Sequence, residues 1–330
     1  MPDSTAASPF DRAPLGRTDV LVTRMGLGTA PLGGWPTAVT RADGIATVRR
    51  AWEWGIRYFD VAPFYGSGLS EGFLGAVLPE KPRDAFALST KVGRLLVPGE
   101  PAESLYEGGL PFTPVIDFSR AGVVQSLAES RQRLGLERID IALIHDPDDY
   151  LEDALAESYP ALAELRAAGV LGAIGAGMNW SEPLTRLAES ADFDCFLLAG
   201  RYTLLEQGPL DNLFPVAKEK SMAIIAGGVY NSGLLIDPRP GATYDYAPAD
   251  DAVIARARRI RDVCARYDVP IGAAAVQFPL AHPVVATVLV GARSAGEVDR
   301  SVELMTWEIP GELWLSLKED ELLREDAPTP

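Results

Sequence analysis

Eight short apolar runs recur along this chain, and each is parted from the next by a longer stretch whose apolar residues stand three and four positions apart. That alternation constrains the fold more than any other feature. A strand followed by a crossover helix pairs in parallel with the next strand, and the helices then cover the sheet. The runs lie at 25–28, 58–61, 85–90, 139–144, 172–176, 195–198, 223–226 and 287–290. Helical periodicity fills 41–54, 119–134, 151–168, 183–189, 212–220 and 252–267, with Gly55, Gly135 and Gly169 placed as stop signals. Eight such units predict an α/β fold, a (β/α)8 TIM barrel. Two segments exceed the minimal barrel: 271–281 reads as an extra helix before the last strand, and 310–324 as a C-terminal helix. The long polar loops 98–114 and 237–248 are expected to rim a pocket on the C-terminal face. Residues 1–14 read as a disordered N-terminal segment and 15–330 as one barrel domain, a length that such barrels commonly reach.

Acidic residues number 46 against 30 basic ones, a formal charge of −16, which repels phosphate backbones and anionic lipid. No nucleic-acid or membrane partner is expected. The first fourteen residues carry no basic segment followed by an apolar one, and no uninterrupted apolar run reaches the length of a membrane span. The expectation is a cytoplasmic protein, monomeric or weakly homo-oligomeric. Cys195 and Cys264 are the only cysteines, without metal-ligand spacing, and read as small buried hydrophobes of a reducing compartment. With no H-E-x-x-H pattern either, no metal is expected.

In barrels of this kind the chemistry sits at the C-terminal strand ends. Four ends carry polar residues: Asp60 with Tyr65 five residues on, Lys91, the pair His145-Asp146, and Asn179-Trp180. Singly, each has a plain structural explanation, as a helix cap, a solvent-facing charge or a satisfied core residue. Together they are harder to dismiss, because closure of the barrel brings the ends of neighbouring strands into one mouth. A Lys91 ammonium paired with Asp60 and set beside Tyr65 favours the phenolate, so Tyr65 could exchange protons near neutral pH. A neutral His145 could donate a hydrogen bond to the same substrate oxygen. This is equipment for adding or removing a proton on a carbonyl or alcohol oxygen, and the electron acceptor should be organic. Trp35, after the Gly-rich turn of the first strand, is a candidate to stack on a substrate, so the substrate set is Trp35, Tyr65 and His145. No Rossmann fingerprint is present, since Pro31 stands where the third glycine belongs. A dinucleotide would instead lie after the last two strands, at Gly227, Gly228 and Val229 and at Gly291, Ala292 and Arg293, although Ser294 with Glu297 also reads as a capping box.

The set Asp60, Tyr65, Lys91 and His145, each in its local motif, resembles the aldo-keto reductase superfamily over nearly the whole chain. The resemblance implies hydride transfer between a nicotinamide and a carbonyl carbon, with Tyr65 as the acid-base residue. It also implies that Thr29, Ala30, Met178 and Asn179 lie along the nicotinamide half. The segments 26–34, 201–207 and 227–233 are similar to a bacterial branch holding aldose (L-fucose) 1-dehydrogenases and pyridoxal 4-dehydrogenases. Three features depart from the wider pattern: Gly227 where an aromatic ring commonly stacks on the nicotinamide, Ala199 in place of Gln, and Arg300-Ser301 in place of Glu-Asn. NADP-dependent members carry a Lys after the last strand and a second basic residue six positions later; Gly291 and Glu297 occupy those places. A carboxylate there repels a ribose phosphate and suits a ribose diol, so NAD is expected over NADP, with Arg293 as the opposing charge. The leading expectation is an NAD(P)-dependent oxidoreductase acting on a small carbonyl or sugar substrate. Within that class an aldose such as L-fucose or D-arabinose leads, with pyridoxal 4-dehydrogenase or general aldehyde/ketone reductase activity as the alternative. The alternatives outside it are a non-catalytic nucleotide-binding redox sensor and a barrel hydrolase or aldolase using Lys91 as a Schiff base.

Overall fold

The computed structural model describes residues 8–99, 106–245 and 247–330. Eight parallel strands close into a barrel in chain order: β1 (Met25–Gly28), β2 (Tyr58–Asp60), β3 (Ala87–Val92), β4 (Ile141–His145), β5 (Ala173–Met178), β6 (Cys195–Ala199), β7 (Ala223–Gly227) and β8 (Val285–Gly291). Every apolar run becomes one of these strands. Side chains alternate between two faces along each strand, and the alternation sorts the core into two layers. Tyr58, Ile141, Leu143, Leu197, Ile225 and Leu289 fill the barrel interior. Phe59, Leu88, Ile144, Ile174, Phe196 and Val288 point outward and pack under the helices.

The N-terminal segment divides where disorder was expected throughout. Residues 1–7 lie outside the described residues, but Arg12–Pro14 pairs antiparallel with Leu21–Thr23. The carbonyls of Pro9 and Asp11 accept from the amides of Met25 and Arg24, tying the segment to β1. Leu15 and Val22 join the interior cluster and plug the N-terminal end of the barrel, leaving the C-terminal end as the mouth. Three residues per strand are too few to show as periodicity, so this hairpin leaves no sequence signal.

The helices start and stop as their local chemistry dictates. Thr40 accepts from the Asp43 amide at the start of Arg41–Trp54, which ends at Gly55 in a left-handed conformation. Ser119 caps Arg120–Leu134 in the same way, with Gly135 at its end. The stretch 151–168 forms, but a π-helical segment, Ala154–Ser158, interrupts it. Ile271–Gln277 and Gly311–Glu319 supply the two extra helices. Leu69–Gly75, after β2, was not marked by periodicity, because Gly72 and Gly75 lower its helical propensity and seven residues are few to reveal a face. Its Ser70 hydroxyl donates to the carbonyl of Thr29, fixing the turn that follows β1.

Both long loops contain hairpins. Arg94–Pro98 pairs with Phe112–Ile116, and Thr243–Tyr244 pairs with Ala247–Pro248. Positions 100–105 and 246 of these loops lie outside the described residues. No helix among the described residues is long and apolar enough to cross a membrane.

Candidate active site

Register steps the polar strand ends up around the mouth: Gly28 pairs with Asp60, Asp60 with Ser89 two residues before Lys91, Lys91 with Leu143 two before His145, and His145 with Gly177 two before Asn179. Asp60 and Lys91 are each 2% exposed, and Lys91 Nζ lies 2.7 Å from Asp60 Oδ2. A buried pair survives only if its remaining valences are met. Here Ser89 Oγ donates to Asp60 Oδ1 at 2.7 Å, Tyr58 OH lies 3.0 Å from Ser89 Oγ, and Lys91 Nζ also reaches the Val61 carbonyl at 3.2 Å. The ammonium is therefore fixed, and it sits 4.6 Å from the centre of the Tyr65 ring.

Tyr65 rides on the glycine-rich turn after β2, where Gly66 and Gly68 have positive φ and the backbone doubles back toward the mouth. Its ring meets His145 edge-to-face at 5.8 Å. Burial, with the Lys91 and Arg94 cations near it, pushes His145 well below the usual histidine range, so the imidazole is neutral. Burial raises the neighbouring Asp146 above the ordinary carboxylate range, and Arg94 opposes that rise. Asp60, Tyr65, Lys91 and His145 thus converge as the sequence predicted.

Above them lies a cavity of about 300 Å³ walled by Trp35, Phe64, Tyr65, Tyr106, His145, Trp180 and the carboxylates of Asp146 and Asp148. It shares Ala30, Trp35, Tyr65, Asn179, Leu197 and Ala199 with a second cavity of about 200 Å³ between β6, β7 and the turn after β1. That one runs on past Pro31, Gly228, Asn231 and Gly291 into an outer groove of about 830 Å³ bordered by Arg293, Glu297, Arg300 and Ser301. The result is one continuous channel from the Tyr65–His145 centre to the start of the last barrel helix, with Trp35 lining all three parts. A further cavity, of about 640 Å³, opens at the opposite end of the barrel, but its charges, such as Arg166 and Asp194, are already paired there.

Most predicted cofactor positions line this channel. Met178 and Asn179 border the inner cavity, Gly227 and Gly228 the middle one, and Val229, Arg293 and Glu297 the outer groove, with Gly291 at the junction. Thr29 and Ala292 are buried behind the wall; Thr29 Oγ1 donates to the Asp60 carbonyl at 2.7 Å and so braces β1 against β2. Gly228 has φ of 61° and a Cβ there would come within 2.8 Å of the Gly200 amide nitrogen, so only glycine fits. One unmet acceptor suits a nucleotide's hydroxyl or amide donors: Asn231 Nδ2 donates to the Gly200 carbonyl at 3.0 Å, while its Oδ1, beside the channel, is buried and has no hydrogen-bond partner among the described residues.

The start of the last barrel helix, Ala295–Met305, is capped from within. Ser294 Oγ accepts from the Glu297 amide at 3.2 Å, and Glu297 Oε2 accepts from the Arg293 amide at 2.8 Å. The Arg293 guanidinium is held by Thr37 Oγ1 at 2.8 Å and Glu297 Oε1 at 3.3 Å. Donors reserved by sequence reasoning for a phosphate are thus partly occupied by Glu297.

The 237–248 loop borders the channel as expected, but sequence reasoning did not single out the contacts that strap it down. Asp245, in the 237–248 loop, forms a two-point ion pair with Arg201 at 2.6 and 2.9 Å. Arg201 lies 4.1 Å from the ring of Trp180, and Tyr244 donates to Glu206. The 201–207 motif therefore faces the strap, a partnership between segments forty residues apart that no local pattern reveals. Tyr106, Phe64 and Trp180 were likewise missed as wall residues; the aromatic ring next to Asn179 at a strand end was the one available signal.

Fold and site together define the class: a barrel oxidoreductase acting on CH–OH or C=O carbon. Within that class the chain belongs to the aldo/keto reductase family, whose model matches residues 24–319. It is 42% identical over 336 residues to a pyridoxal 4-dehydrogenase of Microbacterium luteolum, covering 95% of this chain and 98% of that protein. It is 41% identical over 319 residues to a D-threo-aldose 1-dehydrogenase of a Pseudomonas species, covering 94% and 96%. Among solved structures, a glycerol dehydrogenase of Gluconobacter oxydans superposes with a TM-score of 0.74 at 25% identity over 97% of both chains. The holo form of an aldo-keto reductase of Bacillus halodurans gives 0.75 at 25% identity over 94% and 95%. Members of this family use a nicotinamide dinucleotide.

Proposed function

We propose that this chain is an NAD-dependent dehydrogenase of small hydroxylated carbonyl compounds, with an aldose such as L-fucose or D-arabinose as substrate. The observation that carries the reading is the junction of a small aromatic-walled cavity with a dinucleotide-sized channel at Tyr65. The nicotinamide, when bound, supplies the hydride acceptor or donor. Tyr65 donates or accepts the proton on the substrate oxygen. Lys91, held by Asp60, stabilises negative charge developing on the phenol, and neutral His145 donates a hydrogen bond that orients the same oxygen. Trp35 offers an aromatic face to the substrate, and Asp146 and Asp148 offer acceptors to its hydroxyl groups. The ion pair with Asp60 engages the Lys91 ammonium, which argues against a Schiff-base role. The two relatives described above are named as a pyridoxal 4-dehydrogenase and a D-threo-aldose 1-dehydrogenase, which supports the reading. Free, buried Cys195 and Cys264 suit the cytoplasm.

A second reading, pyridoxal as substrate, is favoured by the five rings around the cavity, which suit a flat heteroaromatic face. Spectrophotometric rates with L-fucose, D-arabinose, pyridoxal and simple aromatic aldehydes, each with NAD or its reduced form, separate the two. Efficient oxidation of the aldoses supports the first reading. Turnover confined to pyridoxal moves the assignment to the second.

For the choice of cofactor, the support is Glu297, whose carboxylate borders the outer groove and holds Arg293 away from a free role. An added ribose phosphate brings nearly two negative charges to that carboxylate. The wild type is expected to favour NAD over NADP in kcat/KM, and Glu297→Arg to shift the ratio toward NADP by about tenfold or more, equivalent to about 1.4 kcal/mol. A wild type that prefers NADP, or a variant with no gain, contradicts this account of the groove.

A further inference from the structure

We propose that Asp146 is a positioning residue that selects the tautomer of His145, keeping its single proton on Nε2. This rests on the reading of His145 as a hydrogen-bond donor to the substrate oxygen. A neutral imidazole has one N–H, and whichever nitrogen lacks it can only accept, so the wrong tautomer turns an orienting donor into a repelling lone pair. Among the described residues nothing at the other end of the ring makes the choice: His145 Nδ1 is buried and has no hydrogen-bond partner there. Nε2 lies 3.5 Å from Asp146 Oδ2, and both residues border the inner cavity. A carboxylate at that distance favours the proton on the nitrogen facing it.

The carboxylate is itself held in place. Asp146 has φ of 43°, and its amide donates to the Gly177 carbonyl at 3.0 Å, which turns the backbone out of the strand direction just after β4. Arg94 Nη2 lies 3.4 Å from the same Oδ2, and the Arg94 guanidinium rests 4.6 Å from the centre of the Phe64 ring, which meets His145 at 5.9 Å. Arg94, Asp146 and His145 thus form a row from the hairpin of Arg94–Pro98 and Phe112–Ile116 to the centre of the mouth. In the free protein Asp146 faces the Nε2 proton. On substrate arrival that N–H turns to the substrate oxygen, and no proton leaves the ring.

The test uses protein labelled with 15N in histidine. The chain has only two histidines, and long-range 1H–15N spectra distinguish the two neutral tautomers by pattern. His282, whose Nδ1 accepts from the Val284 amide, lies outside the site, and His282→Gln assigns the remaining signal to His145. The wild type is expected to show His145 as the Nε2–H tautomer. Asp146→Gly removes the carboxylate at a backbone conformation glycine adopts freely, and is expected to shift His145 toward Nδ1–H. With it kcat/KM should fall about 10-fold to 100-fold while the dissociation constant for the dinucleotide holds. A wild-type spectrum of the Nδ1–H form overturns the proposal without recourse to any variant. So does an unshifted tautomer in Asp146→Gly. A purely structural role for Asp146 would leave the tautomer unmoved. If the tautomer shifts but the wild type reduces or oxidises no carbonyl compound, the tautomer assignment stands and the proposed function fails.

Discussion

Replacing Tyr65 with phenylalanine is expected to lower turnover by about 10² to 10⁴, the usual contribution of a general acid-base group, while dinucleotide affinity stays close to that of the wild type. The substitution removes one oxygen and keeps the ring that meets His145 at 5.8 Å and Lys91 at 4.6 Å, so the mouth keeps its shape. The hydride step then lacks its proton partner. Steady-state kinetics on the best substrate, with a fluorescence titration of the dinucleotide, read the two effects separately. Turnover near the wild-type value would show that another group handles the proton. A parallel loss of dinucleotide binding would show that the ring, not the phenol, was damaged.

Lys91→Met is expected to be as damaging to the rate and also to destabilise the fold. Asp60 would remain buried with Ser89 but without its cation, and stranding one member of a buried ion pair costs about 3 to 5 kcal/mol. The double variant Asp60→Asn with Lys91→Met removes both charges. It should recover much of the lost stability and none of the lost turnover, because two coupled sites do not add. Thermal unfolding and kinetics on the three proteins check this. A Lys91→Met protein as stable as the wild type would mean the pair contributes little, and a double variant with restored turnover would remove Lys91 from the chemistry.

Much of this was legible in the sequence for a physical reason. Each barrel strand buries both faces and so appears as an apolar run, and barrel closure then dictates which strand ends meet. Asp60, Lys91 and His145 needed nothing more to be brought together. The same logic located Gly227, Gly228 and Gly291 after the last two strands, where space is so short that a Cβ at Gly291 would come within 2.7 Å of Pro31. Thr29 and Ala292 show where it stops: both sit at the right strand ends but face the packing behind the wall. The Arg201–Asp245 pair and the Arg94–Asp146 contact were out of reach, since both join loops whose meeting depends on the finished tertiary structure. Glu297 was read both as a charge at the ribose and, with Ser294, as a capping box; the structure keeps the Ser294 half and places the Glu297 half one residue earlier, on the Arg293 amide.

The central claim is that the Tyr65 centre carries out hydride exchange between a nicotinamide and a small hydroxylated carbonyl compound. The most direct measurement mixes purified wild type or Tyr65→Phe with NAD and a panel of L-fucose, D-arabinose and pyridoxal, and follows the absorbance of reduced nicotinamide. The account predicts sustained NAD reduction by the wild type with at least one of these compounds, and a rate lower by about 10² or more for Tyr65→Phe. No NAD reduction with any of them, or equal rates for the two proteins, would contradict it.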